Sequence, residues 1–113
     1  MTLVEQVNDR LRAELTAAMR RRDQVAVCAL RTLLAAVANA EAPPIENAPR
    51  EVHGRLAEHH RRALTAEDLA AVVDQLIADR LDTIGTYRAN GRDDAADELQ
   101  REVDVLAAIK LGS

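Results

Sequence analysis

Between Leu64 and Asp94 the chain carries apolar residues at Leu69, Val72, Val73, Leu76, Ile77, Leu81, Ile84 and Tyr87. Steps of three and four place them on one stripe of an α-helix but on both faces of a strand, so the stretch buries itself best as a helix. Its start is specified twice. Thr65 followed by Asp68 is a short relative of the capping box, and Leu64 and Leu69 can close over it as a hydrophobic staple. Its end is marked by Asn90-Gly91, since glycine takes the left-handed conformation past a helix at little steric cost, and Asp93-Asp94 offer an N-cap to whatever follows. The prediction is a helix of roughly 25 residues, about 37 Å long at 1.5 Å per residue, which turns through a tight corner at Arg88 to Asp94. The other segments must cover its apolar face.

Leu3 to Arg22 reads as a first helix with Val4, Val7, Leu11, Leu15, Ala18 and Met19 on its stripe and a full capping box from Thr2 and Glu5. Arg20, Arg21 and Arg22 fall in its last turn, where the helix dipole favours cations; a phosphate-contacting patch is the competing reading. Asp23 caps a second helix running to about Ala40, with Val27, Leu30, Leu34 and Val37 inward, Leu33 flanking and Cys28 as a small core residue at the stripe margin. So short a connection makes residues 1–40 an αα-hairpin. Residues 41–63 hold Pro43, Pro44 and Pro49 and form a connection in which a short extra helix can start at Pro49. Residues 64–111 are the helix, corner and final helix, the last from Asp94 to about Ile109 with Leu99, Val103, Leu106 and Ile109 inward and Glu98 pairing with Arg101. Gly85, inside the long helix, points to a close approach of another backbone or to a bend in the helix, the first being favoured. No run of β-branched and aromatic residues alternates with polar ones, so the fold class is all-α: four principal helices in one domain, 1–113.

With 113 residues the chain can bury a helical core without disulfides, and the lone Cys28 forms none within it. The absence of a secretory signal or a bilayer-spanning apolar run leads to the expectation of a cytoplasmic protein. A net charge of −4 argues against a broad nucleic-acid coat, and with no Phe or Trp and Tyr87 as the only tyrosine there is no stacking platform of the usual kind for single-stranded RNA. RNA, if bound, is bound by shape and phosphate. His53, His59 and His60 are spaced by six and seven rather than the i, i+4 of helical zinc ligands, and no cysteine supports them, so no metal is expected. No Walker-type glycine loop and no nucleophile turn occur, and no catalytic residue or cofactor is assigned. A membrane-surface role for residues 3–22 is disfavoured by Glu5, Asp9 and Glu14 on the polar side.

Three motifs, Met19-Arg20-Arg21-Arg22-Asp23 with Leu30-Arg31-Thr32-Leu33-Leu34 and Asn39-Ala40-Glu41, then Leu64-Thr65-Ala66-Glu67-Asp68-Leu69, then Tyr87-Arg88-Ala89-Asn90-Gly91-Arg92-Asp93-Asp94, stand in an order and spacing that resemble the YqeY-like proteins. These are grouped with the amidotransferase subunit GatB as the GatB/YqeY family. Asn90 stands where the family usually has Ala, Leu76 and Leu99 where glutamates are common, and the Pro-containing connection is longer. Family members usually continue through a Tyr-Leu-Pro segment into a GatB-like tail domain; Ala107-Ala108-Ile109-Lys110-Leu111 replaces that segment here.

The resemblance implies a non-catalytic helical accessory domain associated with tRNA or a tRNA-dependent amidotransferase-type complex. The family label of glutamine-dependent carbon-nitrogen ligase activity would need other subunits. The residues that would contact RNA or a partner are Arg20, Arg21, Arg22, Arg31, Arg88 and Arg92, with a structural role weighed ahead for Arg31 and Arg92. The alternative is a protein-interaction or homo-oligomerisation module using the wide apolar stripes at Leu76, Leu81 and Leu99.

Overall fold

The computed structural model describes residues 1–42 and 62–109, which form four α-helices: α1 (Leu3–Arg21), α2 (Gln24–Glu41), α3 (Ala66–Ala89) and α4 (Asp93–Ala108). The short helix expected at Pro49, and His53, His59 and His60, lie outside the described residues.

The helix ends explain these boundaries. Thr2 Oγ1 accepts from the Glu5 N–H at 3.1 Å, but the reciprocal half of that box is not made. The complete box is at α3, where Thr65 Oγ1 accepts from Asp68 N–H at 3.1 Å and Asp68 Oδ2 accepts from Thr65 N–H at 2.9 Å. Asp23 Oδ1 caps α2 through Ala26 N–H. Asp93 and Asp94 do not cap α4: Arg92 is its N-cap, without a side-chain bond, and the two carboxylates fall in the first turn, where the dipole still favours them. The reason is upstream. Arg92 N–H is already committed to Tyr87 C=O at 2.8 Å, so the joint between the helices is Arg92 itself.

The α2 helix packs against each of the other three. Leu11, Leu33, Leu69, Leu106 and Val37 are fully buried around it, joined by Val4, Val7, Ala18, Leu30 and Val73. Leu33, expected at the flank, is at the centre and Leu34 is only partly buried, because an arc facing three neighbours has a different middle from one facing a single partner. Cys28 is exposed, on the side of α2 that carries Gln24 and Arg31. On α1 the stripe runs through Val4, Leu11 and Ala18, two turns apart each; Met19 lies a further 100° round and is 52% exposed. The staple forms as expected, with Leu64 and Leu69 both buried in the main core.

A second, smaller cluster of Ile84, Ala96 and Val103 lies between α3 and α4 near their corner, flanked by Tyr87 and Leu99. Ile77 packs on both clusters. Beside it Arg80 Nε donates to Glu102 Oε1 at 3.3 Å, and this is the pair that forms rather than Glu98 with Arg101. Gly85 is exposed, and a Cβ there would meet nothing within 4 Å, so the expected close approach is absent. The α2 helix is long and apolar enough to cross a bilayer by length and composition, but its buried residues face the other three helices.

Candidate functional site

The six arginines singled out in the sequence occupy three places: the end of α1, the body of α2 and the α3–α4 corner. At the first, α1 stops in a pair of hydrogen bonds, Arg22 N–H to Met19 C=O at 3.1 Å and Asp23 N–H to Ala18 C=O at 3.0 Å. This is the Schellman pattern, which needs a left-handed residue just past the helix. Arg22 supplies it, with φ of 59°, the one non-glycine residue of positive φ among those described. Arg20, Arg21 and Arg22 are all exposed. Arg21 reaches Asp23 Oδ2 at 3.8 Å, a pair open to water on both sides, while Arg20 and Arg22 have no side-chain partner among the described residues. Arg31 is likewise exposed and unpaired among those residues, on the same outer stripe of α2 as Gln24, about 10 Å along the helix from it. The helix-holding role weighed for Arg31 is therefore not what its side chain does.

The α3–α4 corner is built on the same plan with different chemistry. Gly91 N–H bonds Arg88 C=O at 3.1 Å and Arg92 N–H bonds Tyr87 C=O at 2.8 Å, with Gly91 at φ of 72°. Here the arginines are engaged. Arg88 donates Nη2 to Asp97 Oδ1 at 3.1 Å and lies 3.9 Å from Asp93 Oδ1, while the Arg92 guanidinium sits 5.6 Å from the centroid of the Tyr87 ring. Arg92 thus serves the fold, but through the ring rather than through a carboxylate. Asn90 closes the corner, its Nδ2 donating to Thr86 C=O at 2.9 Å.

Sequence patterning gave no notice of a cleft of about 510 Å³ between the N-terminal half of α1, the end of α2 and the approach to α3. Leu3, Val4 and Leu64 supply its apolar lining, and Asn8, Arg12, Glu41 and Arg62 its polar groups. It joins residues more than fifty positions apart, so no local signal could have announced it. Arg62 also lies 3.9 Å from Asp68, whose carboxyl is held below its ordinary value first by the Thr65 N–H and also by the Thr65 hydroxyl and Arg62. That shift belongs to a helix cap. Among the described residues no group of three or more His, Cys, Asp or Glu is disposed to hold a metal.

A family model described as YqeY-like protein matches residues 8–109, taking in both corners, helices α2 to α4 and all but the start of α1. The chain belongs to the YqeY-like family. No curated protein and no solved structure matches it. The YqeY-like match includes the unpaired arginines of the α1–α2 corner and the engaged ones of the α3–α4 corner alike, so membership alone does not separate the two sets. The geometry does: among the described residues Arg20 and Arg22 at one corner have no side-chain partner, whereas Arg88 and Arg92 at the other are engaged.

Proposed function

We propose that this YqeY-like domain is a non-catalytic accessory module that contacts the phosphate backbone of tRNA, alone or within a tRNA-dependent amidotransferase-type complex, through Arg20, Arg21, Arg22 and Arg31. The observation that carries this reading is that Arg20, Arg22 and Arg31 are exposed with no side-chain partner among the described residues, although the chain as a whole is acidic. A guanidinium left open to solvent presents its fork of donors to phosphate without first breaking an internal pair. Arg88 and Arg92 leave the contact set, because Asp93, Asp97 and Tyr87 already occupy them. Tyr87, the chain's single Phe, Tyr or Trp ring, lies near Arg92, so the contact proposed is to phosphate rather than to stacked bases. Binding of this kind is local and salt-sensitive.

The test is a titration of bulk tRNA against the full chain at several salt concentrations, beside a variant with Arg20, Arg21 and Arg22 changed to Ala. Each lost phosphate contact should flatten the fall of log affinity with log salt by about 0.7 to 0.9. Absence of binding by the unaltered protein at low salt would refute the reading. The alternative, self-association through surplus leucines, keeps one exposed residue: Leu81 is 48% exposed, whereas Leu76 and Leu99 pack against the two clusters. Sedimentation showing monomer at high concentration would remove it.

A further inference from the structure

The two corners of this fold are the same construction with one difference. In both, the residue just past the helix returns its N–H three positions back and the next residue returns its N–H five positions back: 22 to 19 and 23 to 18 at one, 91 to 88 and 92 to 87 at the other. In both, the first of these residues is left-handed, at φ of 59° and 72°. The second corner uses glycine there, the residue that takes this conformation without a Cβ penalty. The first uses arginine, whose Cβ crowds the following carbonyl when φ is positive. Asparagine, the usual second choice, would also be less strained. Arg22 therefore stands in a position that local backbone energetics assign to another residue, and no hydrogen bond or ion pair of its side chain among the described residues compensates for it.

We infer that Arg22 is a phosphate-contacting residue held in the fold at a cost in stability, and that the α1–α2 corner is where a nucleic-acid backbone docks. This rests on the function proposed above and gives it a specific residue. Three features of the corner agree with a polyanion as the occupant. Arg20, two positions before Arg22, also has no side-chain partner among the described residues, and Arg21 is paired there only with a water-exposed carboxylate. Asp23, the one acid at the turn, has Oδ1 on the Ala26 N–H and Oδ2 near Arg21, so it does not face the two open guanidinium groups as a competing pair. Arg31 adds a further exposed guanidinium on α2 with no side-chain partner among the described residues. A strained residue with an idle, charged side chain is what a binding position looks like in the absence of its ligand.

The experiment compares the full chain with Arg22→Gly and Arg22→Lys, reading the melting temperature and the salt dependence of bulk tRNA binding for each, with inorganic polyphosphate as a second probe. Arg22→Gly should melt higher, by roughly 4 °C in a domain of this size, and its salt slope for tRNA should be shallower by about 0.7 to 0.9, one phosphate contact. Arg22→Lys, equally strained and equally charged, should keep both the melting temperature and the slope. An Arg22→Gly protein that is no more stable than the parent overturns the stability cost. One that is more stable yet binds tRNA with an unchanged slope overturns the contact; if Arg20→Ala and Arg31→Ala still weaken binding, the proposed function stands without this residue. A parent chain that binds polyphosphate but not tRNA, or neither, overturns both.

Discussion

Replacing either member of the Arg80–Glu102 pair should cost more than any other single surface charge in this fold, and replacing both should cost no more than replacing one. The two side chains are only 15% and 14% exposed, they meet at 3.3 Å across α3 and α4, and Arg80 also donates Nη1 to Leu76 C=O at 3.3 Å. At that separation and an effective dielectric constant of about 20, the gross attraction is roughly 5 kcal/mol, most of it offset by desolvation and by ordering two long side chains. Glu102→Leu leaves a largely buried guanidinium with a single carbonyl for company; Arg80→Met leaves a carboxylate with none. Each should lose about 2 kcal/mol, and the double variant also about 2 kcal/mol, which gives a coupling near 2 kcal/mol. Urea midpoints at constant m-value read these differences directly. Because the pair is shielded, the coupling should survive at 0.5 M salt, on the order of a 4 Å screening length, where exposed pairs such as Arg88–Asp93 fade. Additivity of the two single changes within about 0.5 kcal/mol would show that the two side chains are not coupled and refute the reasoning.

Gly85→Ala should stabilise the protein by about 1 kcal/mol, since the site is helical and exposed and an added Cβ meets nothing within 4 Å; a loss on thermal or urea unfolding would mean that a neighbour does approach it. Asp68 gives an acid-side prediction. Its carboxyl is lowered below 3.8, chiefly by the Thr65 N–H, so the charged form is favoured in the folded protein; the cap contributes fully above the unfolded value and is lost as pH falls through the lower folded one. The stability difference between the parent and Asp68→Asn should therefore be largest near neutrality and narrow below pH 3.8, and a difference independent of pH would refute the assignment.

Sequence patterning reached those parts of the fold that are decided within one or two turns. The staple at Leu64 and Leu69, the cap at Asp23 and the glycine corner at Gly91 all depend on residues within about five positions of one another, and each is found where its local chemistry places it. What depends on distant partners was not legible. The exchange of Leu33 for Leu34 at the core centre follows from α2 facing three helices, whereas Cys28 is exposed because it shares the outer side of α2 with Gln24 and Arg31. Arg80 with Glu102 joins positions 22 apart, so only the fold brings them together. The candidate site divides in the same way. Arginines at helix ends are visible in the sequence, but whether a guanidinium is open or closed depends on Asp97 and Tyr87 arriving at one corner, while among the described residues Arg20 and Arg22 at the other meet no such partner.

The smaller cluster near the α3–α4 corner has a consequence for how the molecule comes apart. Ile84, Ala96 and Val103 form a cluster apart from the main core, and among the described residues Ile77 is the flanking side chain packed on both. Amides beyond Ile77, from about Ile84 round to Leu99, can exchange with solvent through a partial opening that leaves α1, α2 and the first turns of α3 closed. The same locality works in the other direction during folding: two hairpins, each closed by a tight corner, assemble from contacts near in sequence, the low-contact-order situation in which small helical domains fold within milliseconds or faster. The docking of α2 onto α3 and α4 then becomes the step that makes a single cooperative protein of them.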